Sequence, residues 1–211
     1  MCYKKYLGPD WKPDYDMTRV STVISNHSSF LDVPLHASAQ IPSIIAKDEV
    51  KKTPGIGPIA VAAGCVFVKR TDKKNKQIVQ DLIIKKQAES EADPELDPLV
   101  VHVEGGTTNG KGLINFKRGA FVGLKSIWPK VHVHNSFFQS PSSGVVDGVP
   151  LYLVTSCLPF SWVTKLELPV FRPNDFFFQH HQREGEEKWQ TYARVMRDIM
   201  SDVSGIPKID A

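Results

Sequence analysis

His27 and Asp32 stand five residues apart in the run Ser25-Asn26-His27-Ser28-Ser29-Phe30-Leu31-Asp32. A histidine held by a nearby carboxylate can take a proton from an alcohol near neutral pH. The carboxylate fixes the imidazole tautomer and stabilises the imidazolium once it forms. On one continuous helix the two side chains would diverge by about 140°, because each residue turns about 100°. They meet if His27 lies on a strand-to-helix turn and Asp32 lies one turn into the helix. The sequence supports that turn: residues 18–25 read as a strand, Ser28 and Ser29 are good N-cap residues, and residues 30–39 can be helical.

Two further places could carry chemistry. Arg70 closes the run Gly64-Cys65-Val66-Phe67-Val68-Lys69-Arg70 just after a strand-like stretch, where a guanidinium can grip a phosphate through its planar fork. The run Glu104-Gly105-Gly106-Thr107-Thr108-Asn109-Gly110 follows another strand-like stretch, and its adjacent glycines let backbone N–H groups approach an anion. Glu104 is out of place beside phosphate. A sugar, glycerol or backbone donor, or a salt bridge, would give it a partner. Gly105, Gly110 and Lys111 also imitate part of a nucleotide P-loop, but Gly112 stands where a Ser or Thr should hold Mg²⁺.

The elements that must position these residues alternate along the chain. Strands are expected at 18–25, 42–46, 65–68, 99–103, 130–134 and 163–170. Helical stretches are expected at 49–63 (broken by Pro54-Gly55 and Gly57-Pro58), at 75–92 with Ile78, Leu82 and Ile83 as its apolar stripe, and at 189–203. Such alternation implies a single α/β domain, 1–211, with a mostly parallel or mixed sheet flanked by helices. His27, Arg70 and Glu104 each follow a strand, which would bring them to one edge of the sheet.

With 211 residues, 41% apolar and 23% charged, the chain can bury one substantial core. The net charge is only +3, but Lys69, Arg70, Lys73, Lys74 and Lys76, then Lys111, Lys117, Arg118 and Lys125, cluster in a way that suits phosphate or an anionic membrane surface, although Lys73, Lys74 and Lys76 read better as a solvated helix face. No nucleic-acid partner is expected. Cys2, Cys65 and Cys157 are too few and scattered for a disulfide framework or a zinc site, so a reducing compartment is expected. His132 and His134 alternate on one strand, and His180 and His181 form a doublet; with no carboxylate or cysteine partner at metal-ligand spacing near either, all four read as structural or surface residues. No run reaches the ~18 apolar residues of a membrane helix. The most apolar stretch, 149–163, reads as an interfacial segment or a buried helix. The first residues lack the apolar centre of a signal peptide.

Taken together, the motifs resemble those of the glycerolipid acyltransferases. His27 to Asp32 looks like the family's H-x-x-x-x-D motif. Gly64, Phe67 and Arg70 match G-x-x-F-x-x-R, Glu104-Gly105 resembles the start of F-P-E-G-T, and Pro129 sits where a fourth motif has its proline. Thr108-Asn109 and Phe116-Lys117-Arg118-Gly119-Ala120-Phe121 are closest to the lysophosphatidylcholine acyltransferase branch, as are Trp11-Lys12-Pro13 and Leu168-Pro169-Val170 before Pro173. The likeness runs from about residue 11 to 203. The chain departs from the family at His102-Val103, where Phe-Pro is usual, and at Gly106, where threonine is usual; Thr107 follows.

The resemblance implies acyl transfer from acyl-CoA to the free hydroxyl of a lysophospholipid, with a lysophosphatidylcholine-like acceptor favoured over lysophosphatidic acid or glycerol-3-phosphate. His27 would be the general base and Asp32 its orienting partner. Arg70 would hold the acceptor phosphate, and Glu104, Gly105, Gly106, Thr107 and Thr108 would shape the acceptor site. No metal and no retained cofactor are implied, because coenzyme A leaves as a cosubstrate. The resemblance further implies membrane association, at the endoplasmic reticulum. Rival readings are a serine hydrolase built on Ser28 or Ser29, for which no G-x-S-x-G elbow exists, and a lipid-binding relic without turnover.

Overall fold

Strands β1 (Thr22–Ser25), β2 (Ser43–Lys47), β3 (Val66–Val68), β4 (Leu99–His102), β5 (Ile127–Ser136) and β6 (Ser161–Glu167) form a single sheet in the order β3-β2-β4-β1-β5-β6. The structure is a computed structural model. It describes residues 3–29, 31–37, 43–52, 56–62, 65–68, 73–136, 153, 157 and 160–210. Every neighbouring pair of strands is parallel except β5 and β6. The fold is α/β, with a mixed sheet flanked by helices, as the alternation of elements implies.

Helices α1 (Lys4–Leu7), α2 (Asp32–Ala37), α3 (Ile56–Ala62), α4 (Lys73–Ala92), α5 (Asp175–His181) and α6 (Lys188–Ser204) surround the sheet. All four residues of β1 are buried, as expected for a central strand of a parallel sheet covered on both faces. One face carries the larger core: Ile24, Leu99, Val101, Ile127 and Val131 pack with Phe121, Phe171, Tyr192, Met196 and Ile199. The other face holds a small apolar cluster of Val20, Val23, Val100, Trp128 and Val170. Towards the strand ends that second face turns polar, with Ser25, His102, Lys130 and His132 on it.

α6 is specified locally as well as by its core stripe. Glu187 and Gln190 form a reciprocal capping box, and Gly205 ends the helix with φ +72°. α5 is capped by Asn174, whose side chain accepts the Phe177 N–H at 2.9 Å. Both α1 and α5 are short helices lying outside the elements expected from sequence.

Several expected boundaries shift. The broken stretch at 49–63 divides into a 3-10 turn (Asp48–Lys52) and α3. β5 is twice the expected length, at 10 residues. β6 ends at Glu167, before Leu168-Pro169-Val170, where Pro169 has no N–H to give a ladder. α4 is present, but its expected apolar stripe is turned. Ile78 and Leu82 are exposed, whereas Ile83, Gln87 and Ser90 are buried. Gln87 belongs inside because its amide donates to Thr22 Oγ1 and to the Ala120 carbonyl, both at 2.9 Å. Of the apolar stretch 149–163, only 153, 157 and 160–163 are described: 153 and 157 are helical, and 161–163 already belong to β6. Leu153, Phe160 and Trp162 are exposed. Among the described residues, no helix is long and apolar enough to cross a membrane.

Arg197 of α6 ties the loop after β4 to the C-terminal segment. Its guanidinium donates to the Leu113 carbonyl, to Asn115 Oδ1, to the Ile209 carbonyl and to Asp210 Oδ1, at 2.7–3.1 Å. Arg197→Met keeps the stem but removes all of these bonds. It is expected to lower the unfolding free energy by ~3 kcal/mol, read as a lower urea midpoint with an unchanged slope.

Candidate active site

The strand register explains how the site assembles. Ser25, His102 and Lys130 lie side by side across β1, β4 and β5. His27, Glu104 and His132 each come two residues later, so they are level with one another: His27 and Glu104 lie just past the carboxyl ends of β1 and β4, and His132 lies where the longer β5 runs on beside them. This is where an α/β sheet usually holds its ligand.

His27 lies on the turn from β1 to α2, and Asp32 is the first residue of α2. Asp32 Oδ2 is 3.0 Å from His27 Nδ1 and also accepts the backbone N–H groups of Ser28 and Ser29 at 2.9 Å. Ser29 Oγ in turn accepts the Leu31 N–H at 3.2 Å, as an N-cap residue does. Asp32 is fully buried, and a carboxylate can only accept, so the His27 proton sits on Nδ1. Nε2 is left with its lone pair, on a side chain that keeps 17% of its exposure.

The loop after β4 grips the main chain of His27 from both sides. Glu104 Oε1 accepts the His27 N–H at 2.9 Å, and the Thr108 N–H donates to the His27 carbonyl at 2.7 Å. Glu104 thus finds the backbone donor its position demanded. Its burial raises the carboxyl pKa even though the His27 N–H favours the ionised form. Oε2 is buried without a hydrogen-bond partner among the described residues. Gly105 has φ +73°, and a Cβ there would lie 3.0 Å from Lys117 Cγ, so the tight turn needs glycine. Gly106 is half-buried with nothing within 4 Å of a Cβ position, and Thr107 is exposed. Arg70 lies outside the described residues, as does Gly64. β3, which precedes Arg70, is parallel to β1 and β4. The P-loop likeness fails on geometry: Lys111 is exposed and a loop, not a helix, follows it.

The largest departure from the sequence reading concerns histidines. Of the two readings of His132 and His134, structural or surface, the surface one falls. His132 Nδ1 is 3.1 Å and His134 Nε2 is 2.7 Å from Asp32 Oδ1, and both side chains are buried. Asn26 brackets His132, accepting its N–H and donating to its carbonyl, each at 2.8 Å. The carboxylate partner comes from a distant part of the chain, which local spacing does not reveal. The one available signal was the alternation of His132 and His134, which puts both on one face of β5.

His102 lies flat against His27, with ring centroids 4.1 Å apart and planes 14° from parallel. Its Nδ1 is 2.9 Å from Ser25 Oγ, which is 3.0 Å from His36 Nε2. Burial drives the His102 and His36 pKa values down, that of His36 to about 3, so both rings are neutral. Burial pushes the Asp32 carboxyl the other way, upward. The hydrogen bonds from His132, His134, His27 and Ser29 outweigh it and hold Asp32 far below the usual carboxylate range. No group of three or more His, Cys, Asp or Glu able to hold a metal ion is present among the described residues.

The class of protein follows from sequence comparison. Residues 18–133 match the Acyltransferase family, a stretch that includes His27, Asp32 and Glu104. The chain belongs to that family. It is 29% identical to a lysophospholipid acyltransferase of Arabidopsis thaliana, over 87% of this chain and 44% of that protein. It is 29% identical to lysophosphatidylcholine acyltransferase 2 of Homo sapiens, over 89% of this chain and 33% of that protein. The chain therefore spans less than half the length of these relatives. Among solved structures it resembles the 1-acyl-sn-glycerophosphate acyltransferase PlsC of Thermotoga maritima. That likeness, with a TM-score of 0.52 at 15% identity, covers 95% of this chain and 70% of PlsC, and concerns the fold.

Proposed function

We propose that this protein transfers an acyl group from acyl-CoA to the free hydroxyl of a lysophospholipid, with His27 as general base. The observation that carries the reading is the His27–Asp32 hydrogen bond, which leaves an imidazole lone pair at the carboxyl edge of the sheet. His27 Nε2 takes the hydroxyl proton as the lipid oxygen attacks the thioester carbonyl. The tetrahedral intermediate collapses, the C–S bond breaks, and the imidazolium returns the proton to the departing thiolate. Asp32 balances the transient charge on His27. The products are a diacyl phospholipid and free coenzyme A; no metal or retained cofactor takes part.

Arg70 holds the acceptor phosphate. Glu104, Gly105, Gly106, Thr107 and Thr108 shape the acceptor site beside His27. A lysophosphatidylcholine-like head group is favoured, because that branch supplies the closest motif likeness and one of the relatives bears that name. Work on such substrates takes place at a membrane surface, and the endoplasmic reticulum is the proposed compartment.

A panel of lysophospholipids, lysophosphatidic acid and glycerol-3-phosphate, each offered with labelled acyl-CoA, tests the reading. Label is expected in phosphatidylcholine. Label only in phosphatidic acid would reassign the head group, and lysophospholipid binding without any product would point to a relic. For Arg70→Ala, a rise of about tenfold or more in acceptor KM is expected. Unchanged kinetics would remove Arg70 from the site.

A further inference from the structure

We infer that His132 and His134 are positioning residues of the proposed acyl transfer: as N–H donors they clamp one oxygen of Asp32 so that the other is presented to His27. The inference rests on the reading of His27 as general base. Neither histidine is required by the acyltransferase motifs, and no role for either follows from their sequence neighbours.

The geometry divides the donors of a fully buried carboxylate into two sets. Oδ2 takes His27 Nδ1, Ser28 N and Ser29 N, whereas Oδ1 takes His132 Nδ1 and His134 Nε2. Rotation of the carboxyl group about Cβ–Cγ would break both sets at once, so its plane is fixed. Without the Oδ1 pair, one oxygen would be buried with no donor and the group could turn away from His27. The two rings use different nitrogens. His132 must carry its proton on Nδ1 and His134 on Nε2, since the carboxylate can only accept. The Nε2 of His132 is buried without a partner among the described residues, which suits a bare lone pair better than an N–H.

The different nitrogens make a crossed test. A glutamine amide nitrogen reaches about as far as an imidazole Nε2, and an asparagine amide nitrogen about as far as Nδ1. His134→Gln and His132→Asn should therefore keep kcat within about threefold of wild type, while His134→Asn and His132→Gln lose about tenfold or more, with both KM values nearly unchanged. All four variants are polar and of similar size, and circular dichroism checks that each is folded. Equal losses in all four, or no loss in any, would overturn the inference. A readout independent of turnover is the nitrogen-15 NMR spectrum of the wild-type histidines. It should show His132 protonated on Nδ1 and His134 on Nε2. The opposite tautomers would overturn the clamp whatever the activity. Full activity in His27→Ala would instead refute the general-base reading, leaving the tautomer result to stand alone.

Discussion

His27→Ala is expected to cut kcat by about 10²–10⁴-fold while the protein stays folded. The loss is chemical: no other imidazole can replace the lone pair. His102 is stacked against His27, but its Nδ1 is engaged with Ser25 and its Nε2 is buried. The fold should survive because Asp32 keeps four of its donors, the two serine amides and the two β5 histidines. The backbone braces from Glu104 and Thr108 do not depend on the side chain. Steady-state kinetics with acyl-CoA and lysophosphatidylcholine, beside a thermal melt of the variant, provide the check. An unfolded variant would leave the comparison to His27→Gln, which retains bulk and has no base of comparable strength. Wild-type turnover in either folded variant would remove His27 from the mechanism.

The second large effect is on stability in acid. His36 and His102 are held neutral by the fold, His36 with a pKa of about 3 against an ordinary value of 6.5. Between those values the unfolded chain binds a proton that the folded chain refuses, so stability falls as pH drops below 6.5. Each such histidine costs about 1.4 kcal/mol per pH unit once the unfolded group is protonated. Asp32 adds a further loss only below its ordinary value of 3.8, because its folded pKa is lowered. Glu104 acts in the opposite sense: its pKa is raised by burial, so its protonation in mild acid favours the fold and offsets part of the loss. Urea midpoints should therefore fall steeply from pH 6.5 to pH 4.5, and His36→Gln should flatten the slope by one histidine's share. A midpoint constant across that range would contradict the neutral-histidine cluster.

Sequence and structure agree most where local chemistry decides. The strand at Thr22–Ser25, the N-capping serines and the carboxylate of Asp32 are neighbours along the chain, so their meeting with His27 follows from spacing and turn geometry. The core strand β4 and the helix α6 announce themselves through apolar patterning and caps. What sequence withholds is set by pairing between distant segments. The contact of His132 and His134 with Asp32 depends on β5 lying beside β1 in one particular register. The face of α4 that turns inward depends on Gln87 finding partners on β1 and on the turn at Arg118–Ala120. His102 reads as a departure from the usual phenylalanine until the register of β4 stacks it on His27.

The most direct measurement follows acyl label and thiol together, with purified protein, labelled acyl-CoA and vesicles containing lysophosphatidylcholine. The account predicts one coenzyme A thiol released per labelled phosphatidylcholine formed, no release when the lysolipid is omitted, and both products slowed about a hundredfold or more with His27→Ala. Thiol release accompanied by free fatty acid in the absence of lysolipid, or labelled phospholipid made equally well without His27, would contradict it.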